Sequence, residues 1–213
     1  MISRIRSLKS LGVRYATGQL FIRVSCAFRC SLYRLFYSNN KPILNNVKVF
    51  QPTQFVGKGA IQLNSVSLGC WPSPYLLTGC GYIEARNIGA SIEIDAGSQL
   101  NNNFVIIADK SSVRIGKRCQ VGPNFFVTDS DFHGLDKAHR NTNDYGYGDV
   151  EIGDDVFIGS NVQVLKNVTI GSGSVIASGS IVTQDVMENA LYAGIPAKFI
   201  KSLNGANFPA KEE

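Results

Sequence analysis

Residues 150–186 read VEIGDDVFIGSNVQVLKNVTIGSGSVIASGSIVTQDV, and in one frame of six the aliphatics Ile152, Ile158, Val164, Ile170, Ile176 and Val182 recur. The next residue is usually small, as at Gly153, Gly159, Gly171 and Ala177. Four places after each aliphatic stands a second small or branched residue: Val156, Val162, Val168, Ser174, Ser180 and Val186. No helix has a period of six, and a plain strand has a period of two. A six-residue period held this long specifies a solenoid in which each hexad is one short side of a stacked coil. Three hexads close one triangular coil of about 18 residues, with aliphatics stacked inward and small residues at the corners. The strands run parallel, so the two ends of the stack are sheet edges that need a cap.

Upstream of that stretch the frame is looser. Ile94, Leu100 and Ile106 share it, the turn clusters Asp95–Gly97 and Asn101–Asn103 punctuate it, and Ile115, Val121 and Val127 resume it after a re-set. It breaks at Thr128 and returns at Ile152, leaving a loop over 128–151 that is long for a compact domain. The 21 glycines among 213 residues suit a fold of short strands and repeated tight turns.

Charge divides the chain. Residues 1–83 contain no Asp or Glu and ten basic side chains, from Arg4 to Lys58; the remainder carries 11 basic and 16 acidic ones, so +10 and −5 sum to the net +5. The apolar positions Leu20, Phe21, Val24, Phe28, Leu32, Leu35 and Phe36 recur at spacings of three and four, which predicts an amphipathic helical segment within 1–38. Arg23, Arg29 and Arg34 interrupt that run, so neither a membrane span nor a secretory signal is expected. Two readings of the segment stand open: a helix lying on an anionic membrane surface, or one packed on protein. Asn39–Pro42 marks a break. The expected organisation is a basic helical appendage over 1–46, a repeat body over 47–188 and a cap and tail over 189–213. Cys26, Cys30, Cys70, Cys80 and Cys119 form no zinc-spaced set, and free thiols are expected, with Cys119 in a small core slot.

The interrupting loop contains Thr128-Asp129-Ser130-Asp131-Phe132-His133-Gly134-Leu135-Asp136. Loops pushed out of a rigid scaffold tend to carry function. A neutral imidazole at His133 can accept a proton from a hydroxyl, and the acids at 129, 131 and 136 are candidates to fix its tautomer. The alternative is an exposed loop histidine bonded to backbone.

Three pieces in order, the DSDFHGLD loop, the run from Val150 to Val186, and the closing YAGIPAKFIK, carry a resemblance. The chain resembles the hexapeptide-repeat acyltransferases, in the branch of sugar O-acetyltransferases that includes galactoside and maltose acetyltransferases and enzymes that modify capsule and O-antigen. The resemblance covers roughly Ile94 to Ser202. It implies a mainly β fold, a left-handed parallel β-helix of hexapeptide repeats with an N-terminal helical segment and a short C-terminal extension. That hand runs against the usual right-handed crossover. It also implies a homotrimer with sites in the grooves between β-helices, acetyl-CoA as co-substrate, no metal, and a sugar or glycan acceptor.

Residue by residue, the resemblance implies His133 as general base and the Ser160 backbone N–H as oxyanion donor. It puts Ser178 and Thr183 at cofactor contacts, and Lys198 and Lys201 near the cofactor's phosphates. Asn101 and Asn103 match an acceptor-contacting region, Asp144 an acid near the active site, and Asp131 is a candidate to orient His133. The chain departs from many relatives at Phe157, where they have Trp, and at Gln184, where Lys is common. The basic N-terminal segment favours a membrane-tethered acceptor in surface-polysaccharide assembly, with the protein cytoplasmic, peripheral on the inner face of the membrane. A small free sugar or antibiotic as acceptor, and a non-catalytic β-helix scaffold, are the competing readings. A zinc β-helix enzyme would need three histidines and there are two. No motif points to nucleic acid.

Overall fold

The computed structural model describes residues 2–203. Residues 204–213 of the expected C-terminal cap and tail, and Met1, lie outside the described residues. Helix α1 (Ile2–Phe36) is followed by stacked coils, each contributing one strand to each of three sheets. The first coil holds β1 (Ile43–Asn45), β2 (Lys48–Val49) and β3 (Thr53–Gly57); the second β4 (Ala60–Asn64), β5 (Ser67–Leu68) and β6 (Gly81–Ala85). The third holds β7 (Ser91–Ile94), β8 (Gln99–Leu100) and β9 (Val105–Ala108); the fourth β10 (Ser112–Ile115), β11 (Gln120–Val121) and β12 (Phe126–Thr128). The fifth holds β13 (Val150–Ile152), β14 (Phe157–Ile158) and β15 (Gln163–Val164); the sixth β16 (Val168–Ile170), β17 (Val175–Ile176) and β18 (Ile181–Val182). Strands β19 (Ala190–Gly194) and β20 (Ala197–Ser202) close the stack as an antiparallel pair. The fold is a left-handed parallel β-helix of hexapeptide repeats.

Sheet A runs β1-β4-β7-β10-β13-β16, sheet B β2-β5-β8-β11-β14-β17-β19-β20, and sheet C β3-β6-β9-β12-β15-β18. The frame of six becomes one inward ladder per sheet: Ile94–Ile115–Ile152–Ile170 in A, Leu100–Val121–Ile158–Ile176 in B, and Ile106–Val127–Val164–Val182 in C. All are buried, and each such side chain contributes roughly 1.5–3 kcal/mol by leaving water. The small slot between sheets A and B stacks Ser98, Cys119, Val156 and Ser174, all buried. Ser98 Oγ donates to the Gly116 carbonyl and accepts from the Cys119 N–H, so its polarity is satisfied there. Burial pushes the Cys119 thiol pKa up, as suits a core side chain. Corners between B and C stack Asn103, Asn124 and Asn161 at φ 64°, 59° and 57°, each side-chain amide donating a hydrogen bond to the Oδ1 of the next at 2.8 and 2.9 Å. Asparagine tolerates the left-handed conformation better than most side chains, which explains its recurrence at that corner.

Helix α1 meets the body through a different stripe from the one its apolar spacing selects. Gln19, Ile22, Ser25, Cys26, Arg29, Cys30, Leu32 and Tyr33 are the buried or half-buried positions, so of the expected apolar stripe only Leu32 faces the body, whereas Leu20, Phe21, Val24, Phe28, Leu35 and Phe36 are exposed. The docking is polar: Arg29 donates to the carbonyls of Leu76, Leu77 and Gly79 at 3.3, 2.6 and 3.0 Å. Those carbonyls belong to a second insertion, residues 69–80, between β5 and β6. Beside it, burial pushes the Cys30 thiol up to about 11.

Candidate functional site

The insertion with His133 leaves the corner between sheets C and A, from the end of β12 to the start of β13. Two buried carboxylates hold its root. Asp129 accepts the backbone N–H groups of Asp109, Lys110 and Ser111 at 2.7, 3.1 and 2.7 Å. Asp109 accepts the hydroxyls of Ser130 at 3.1 Å and Tyr145 at 2.8 Å. Burial first, and then that bond to Asp109, push the Tyr145 phenol up to about 12. Lys110 adds a bond to the Asn143 carbonyl and lies 3.6 Å from the Tyr145 ring centroid. Nearer the tip, the Arg86 guanidinium lies 4.7 Å over the Phe132 ring. The residue next to the histidine is thereby stacked on the body.

His133 is exposed, and its Nδ1 stands 3.0 Å from the Arg140 carbonyl oxygen. A carbonyl only accepts, so Nδ1 is the protonated nitrogen and the lone pair of the neutral ring lies on Nε2. The nearby acids are engaged elsewhere. Asp131 pairs with Lys166 at 3.1 Å, Asp136 accepts the Ala138 N–H at 2.7 Å, and Asp129 is the root anchor. Asp144 pairs with Nδ1 of the other histidine, His139, at 3.1 Å. A main-chain carbonyl that no motif reveals thus has the role the sequence offered to a carboxylate.

The other expected residues divide by side of the triangle. Ser160 and Ser178 occupy the B–C corner in successive coils, and the Ser160 N–H donates to the Ser178 hydroxyl at 3.1 Å. Lys198 and Lys201 lie on β20, opposite Ala193 and Leu191 of β19. Three residues apart on a regular strand, they would face opposite ways. The irregularity between Leu191 and Tyr192 turns both to the outer face of sheet B. Thr183 follows β18 and lies at the C–A corner, away from the other four. Asn101 Oδ1 accepts from Ser73 Oγ and the Asn102 N–H, both at 2.7 Å, and its side chain lines a cavity on sheet B. Asn103 belongs to the corner ladder described above. Between them, Asn102 is fully buried and ties down the insertion 69–80, donating to the Cys70 and Pro74 carbonyls at 3.0 and 2.7 Å.

Sheet B is the side opposite the C–A corner, so one chain separates His133 from Ser160, Ser178 and the two lysines. The insertion 69–80 went unread in the sequence. Its signal was there: Gly69-Cys70-Trp71-Pro72-Ser73-Pro74, with two prolines and the one tryptophan, cannot continue a hexad.

The family described as bacterial transferase hexapeptide (six repeats) matches residues 149–184. Among solved structures, the polysialic acid O-acetyltransferase OatWY superposes with a TM-score of 0.57 at 25% identity, over 76% of this chain and 73% of that one. The polySia-specific acetyltransferase NeuO gives 0.53 at 25%, over 82% of each chain. The hexapeptide-repeat acetyltransferase VCA0836 of Vibrio cholerae O1 biovar eltor, solved with acetyl coenzyme A, shares the fold, with 0.50 at 22%, over 86% of this chain and 88% of that one. A sequence comparison with curated proteins finds no match.

Proposed function

We propose that this chain, an acyltransferase of the hexapeptide-repeat type, moves an acetyl group from acetyl-CoA to a sugar hydroxyl, with His133 as general base. The observation that carries the reading is the bond from His133 Nδ1 to the Arg140 carbonyl, which leaves Nε2 free to accept a proton. Nε2 takes the hydroxyl proton as the sugar oxygen attacks the thioester carbon. The C–O bond forms, the C–S bond breaks, and the proton on Nε2 passes to the departing CoA thiolate. The donor is already activated, so holding both substrates together suffices and no covalent enzyme intermediate forms.

Acetyl-CoA lies along the C-terminal half of sheet B in this reading. Lys198 and Lys201 meet its phosphates as point charges, and the thioester oxygen replaces the Ser178 hydroxyl at the Ser160 N–H. Thr183, at the other corner, contacts cofactor only across a subunit boundary. The separation of His133 from sheet B supports a homotrimer whose three-fold axis runs along the coils. A neighbour's loop then arrives at the height of β11 and β14, next to Ser160. The acceptor belongs to surface-polysaccharide assembly. Helix α1 supports this by presenting Phe21, Val24, Phe28 and Leu35 outward with no acid in the segment, as suits peripheral contact with an anionic inner membrane face. No described helix is long and apolar enough to cross a membrane.

The test is CoA thiol release from acetyl-CoA with a panel of free and lipid-linked glycans. Wild type turns over at least one acceptor. His133→Ala loses about 10²- to 10⁴-fold in kcat while still binding CoA. Turnover by His133→Ala at the wild-type rate overturns the assignment of the base; no CoA binding by either protein overturns the transferase reading.

A further inference from the structure

Between α1 and the outer face of sheet B lies a cavity of about 840 Å³. Its position follows from length. Tyr33 to Gln19 along a helix spans about 21 Å, and four coil spacings span about 19 Å, so α1 running along the coil axis reaches from the first coil to the fifth. Gln19, Ile22 and Arg23 accordingly line the same cavity as Gln120 of β11 and Phe157 of β14. The insertion 69–80 walls the cavity with Trp71, held through Asn102 and Arg29.

The charge of this cavity is one-sided. Arg23 and Lys48 line it, and no Asp or Glu does. The outward ladder of sheet B, Lys48–Ser67–Gln99–Gln120–Phe157–Val175–Leu191–Lys201, has a lysine at each end and no carboxylate. The equivalent ladder on sheet A, Gln62–Glu93–Arg114–Glu151, alternates signs and pairs them, with Arg114 bridging to Asp95 and Glu151. Among the described residues neither Arg23 nor Lys48 enters an ion pair. Both are exposed to solvent, and two unneutralised cations lining one cleft attract anions. The rest of the lining suits a carbohydrate. Trp71 and Phe157 are half-exposed aromatic surfaces, and Gln99, Asn101 and Gln120 offer amides that pair with hydroxyls.

We propose that this cavity is the acceptor site and that its ligand is an acidic glycan, a chain of carboxylated sugars. Arg23 and Lys48 pair with the carboxylates, and Trp71 and Phe157 pack against the sugar rings. The proposal rests on the acyltransferase reading and names its substrate class. A neutral glycan would use the rings and amides and leave both cations unpaired. Along sheet B the cavity ends at Phe157 of β14, and Ser160 follows at the adjoining corner, so an acceptor there ends where the thioester begins.

Trp71 is the sole tryptophan, so its fluorescence reports the cavity without acetyl-CoA and without turnover. The full-length protein is titrated with a sialic acid oligomer, an oligogalacturonate, a neutral maltooligosaccharide and CoA alone. The acidic oligomers give a saturable change that weakens with salt, and the neutral one gives none at the same concentration. Arg23→Gln and Lys48→Gln each weaken acidic binding about tenfold, the loss of one charge-assisted bond. Equal response to neutral and acidic oligomers, no response to any glycan, or unchanged binding by both variants overturns the proposal, even where acetyl transfer to a sugar occurs. A response to CoA that competes with the sialic acid oligomer and is lost in both variants also overturns it, because the cations then serve the cofactor. Acidic binding without acetyl transfer leaves the acidic site standing and removes the transferase reading.

Discussion

The two insertions in the coil are anchored from different parts of the molecule. Residues 129–149 are tied to the body by carboxylates that accept: Asp129 takes three backbone N–H groups, and Asp109 takes two hydroxyls. Residues 69–80 are tied mainly by amides and a guanidinium: Asn102 and Gln51 from within the coil donate to main-chain carbonyls, Asn102 also accepts the Cys70 N–H, and Arg29 donates from α1. The anchors of the first insertion lie in the β-helix or in the insertion itself, so the placement of His133 does not depend on α1. The second is shared between coil and helix, so the placement of the cavity wall depends on both. In the proposed reading, the base that takes the hydroxyl proton sits on the self-contained loop, and the acceptor surface sits on the shared one.

The strongest way to break this contrast is Asp129→Ala. Three backbone donors lose a buried charged acceptor at once, and unfolding free energy is expected to fall by about 3 kcal/mol or more, read as the urea midpoint. Acetyl transfer should fall with it, because the loop root opens; an unchanged midpoint would show that the carboxylate does not anchor the loop. Asn102→Ala comes next, at about 2 kcal/mol, since a fully buried amide leaves the Cys70 and Pro74 carbonyls without a donor. Its signature is a red-shifted Trp71 emission, and hydrogen exchange at Asp109–Ser111 should stay slow.

Arg29→Ala sharpens the comparison at lower cost, about 1 kcal/mol, because its partners are partly exposed. Trp71 should become more accessible to a quencher while kcat at saturating acceptor holds and KM rises. A fall in kcat with KM unchanged would mean that α1 positions the loop carrying His133 after all. The smallest effect is in pH. Tyr145 ionises at about 12 in the folded state, above the unfolded value near 10. Its contribution is therefore complete below pH 10 and lost as pH rises through 12. Asp149 has the opposite sign. The Ser111 and then Ser112 hydroxyls hold its pKa below the usual carboxylate range, so its contribution is present above about pH 4 and lost as pH falls through the folded value. Tyr145→Phe should flatten the alkaline limb of a stability profile and Asp149→Asn the acid limb; profiles that superimpose on wild type would remove both assignments.

Much of this was legible in the chain. A period of six is a local property, and each aliphatic from Ile94 to Val182 that keeps the frame is found on an inward ladder, because a regular coil converts spacing directly into position. The break at Thr128 was legible for the same reason, as was the acid-free basic half, which composition alone states. Only the tertiary structure decided the rest. The outward stripe of α1 follows from where Arg29 finds its carbonyls, and helical spacing contains no record of them. Lys198 and Lys201 share a face because of an irregular pairing with β19, a property of two strands together. His133 is held by the carbonyl of Arg140, and every residue has a carbonyl, so no side-chain pattern marks the one that matters. The periodic part of this protein was determined by its sequence because each residue there meets its equivalent one coil away. The orientation of His133, the docking of α1 and the face of β20 were not, because the contacts that set them join segments whose separation along the chain follows no period.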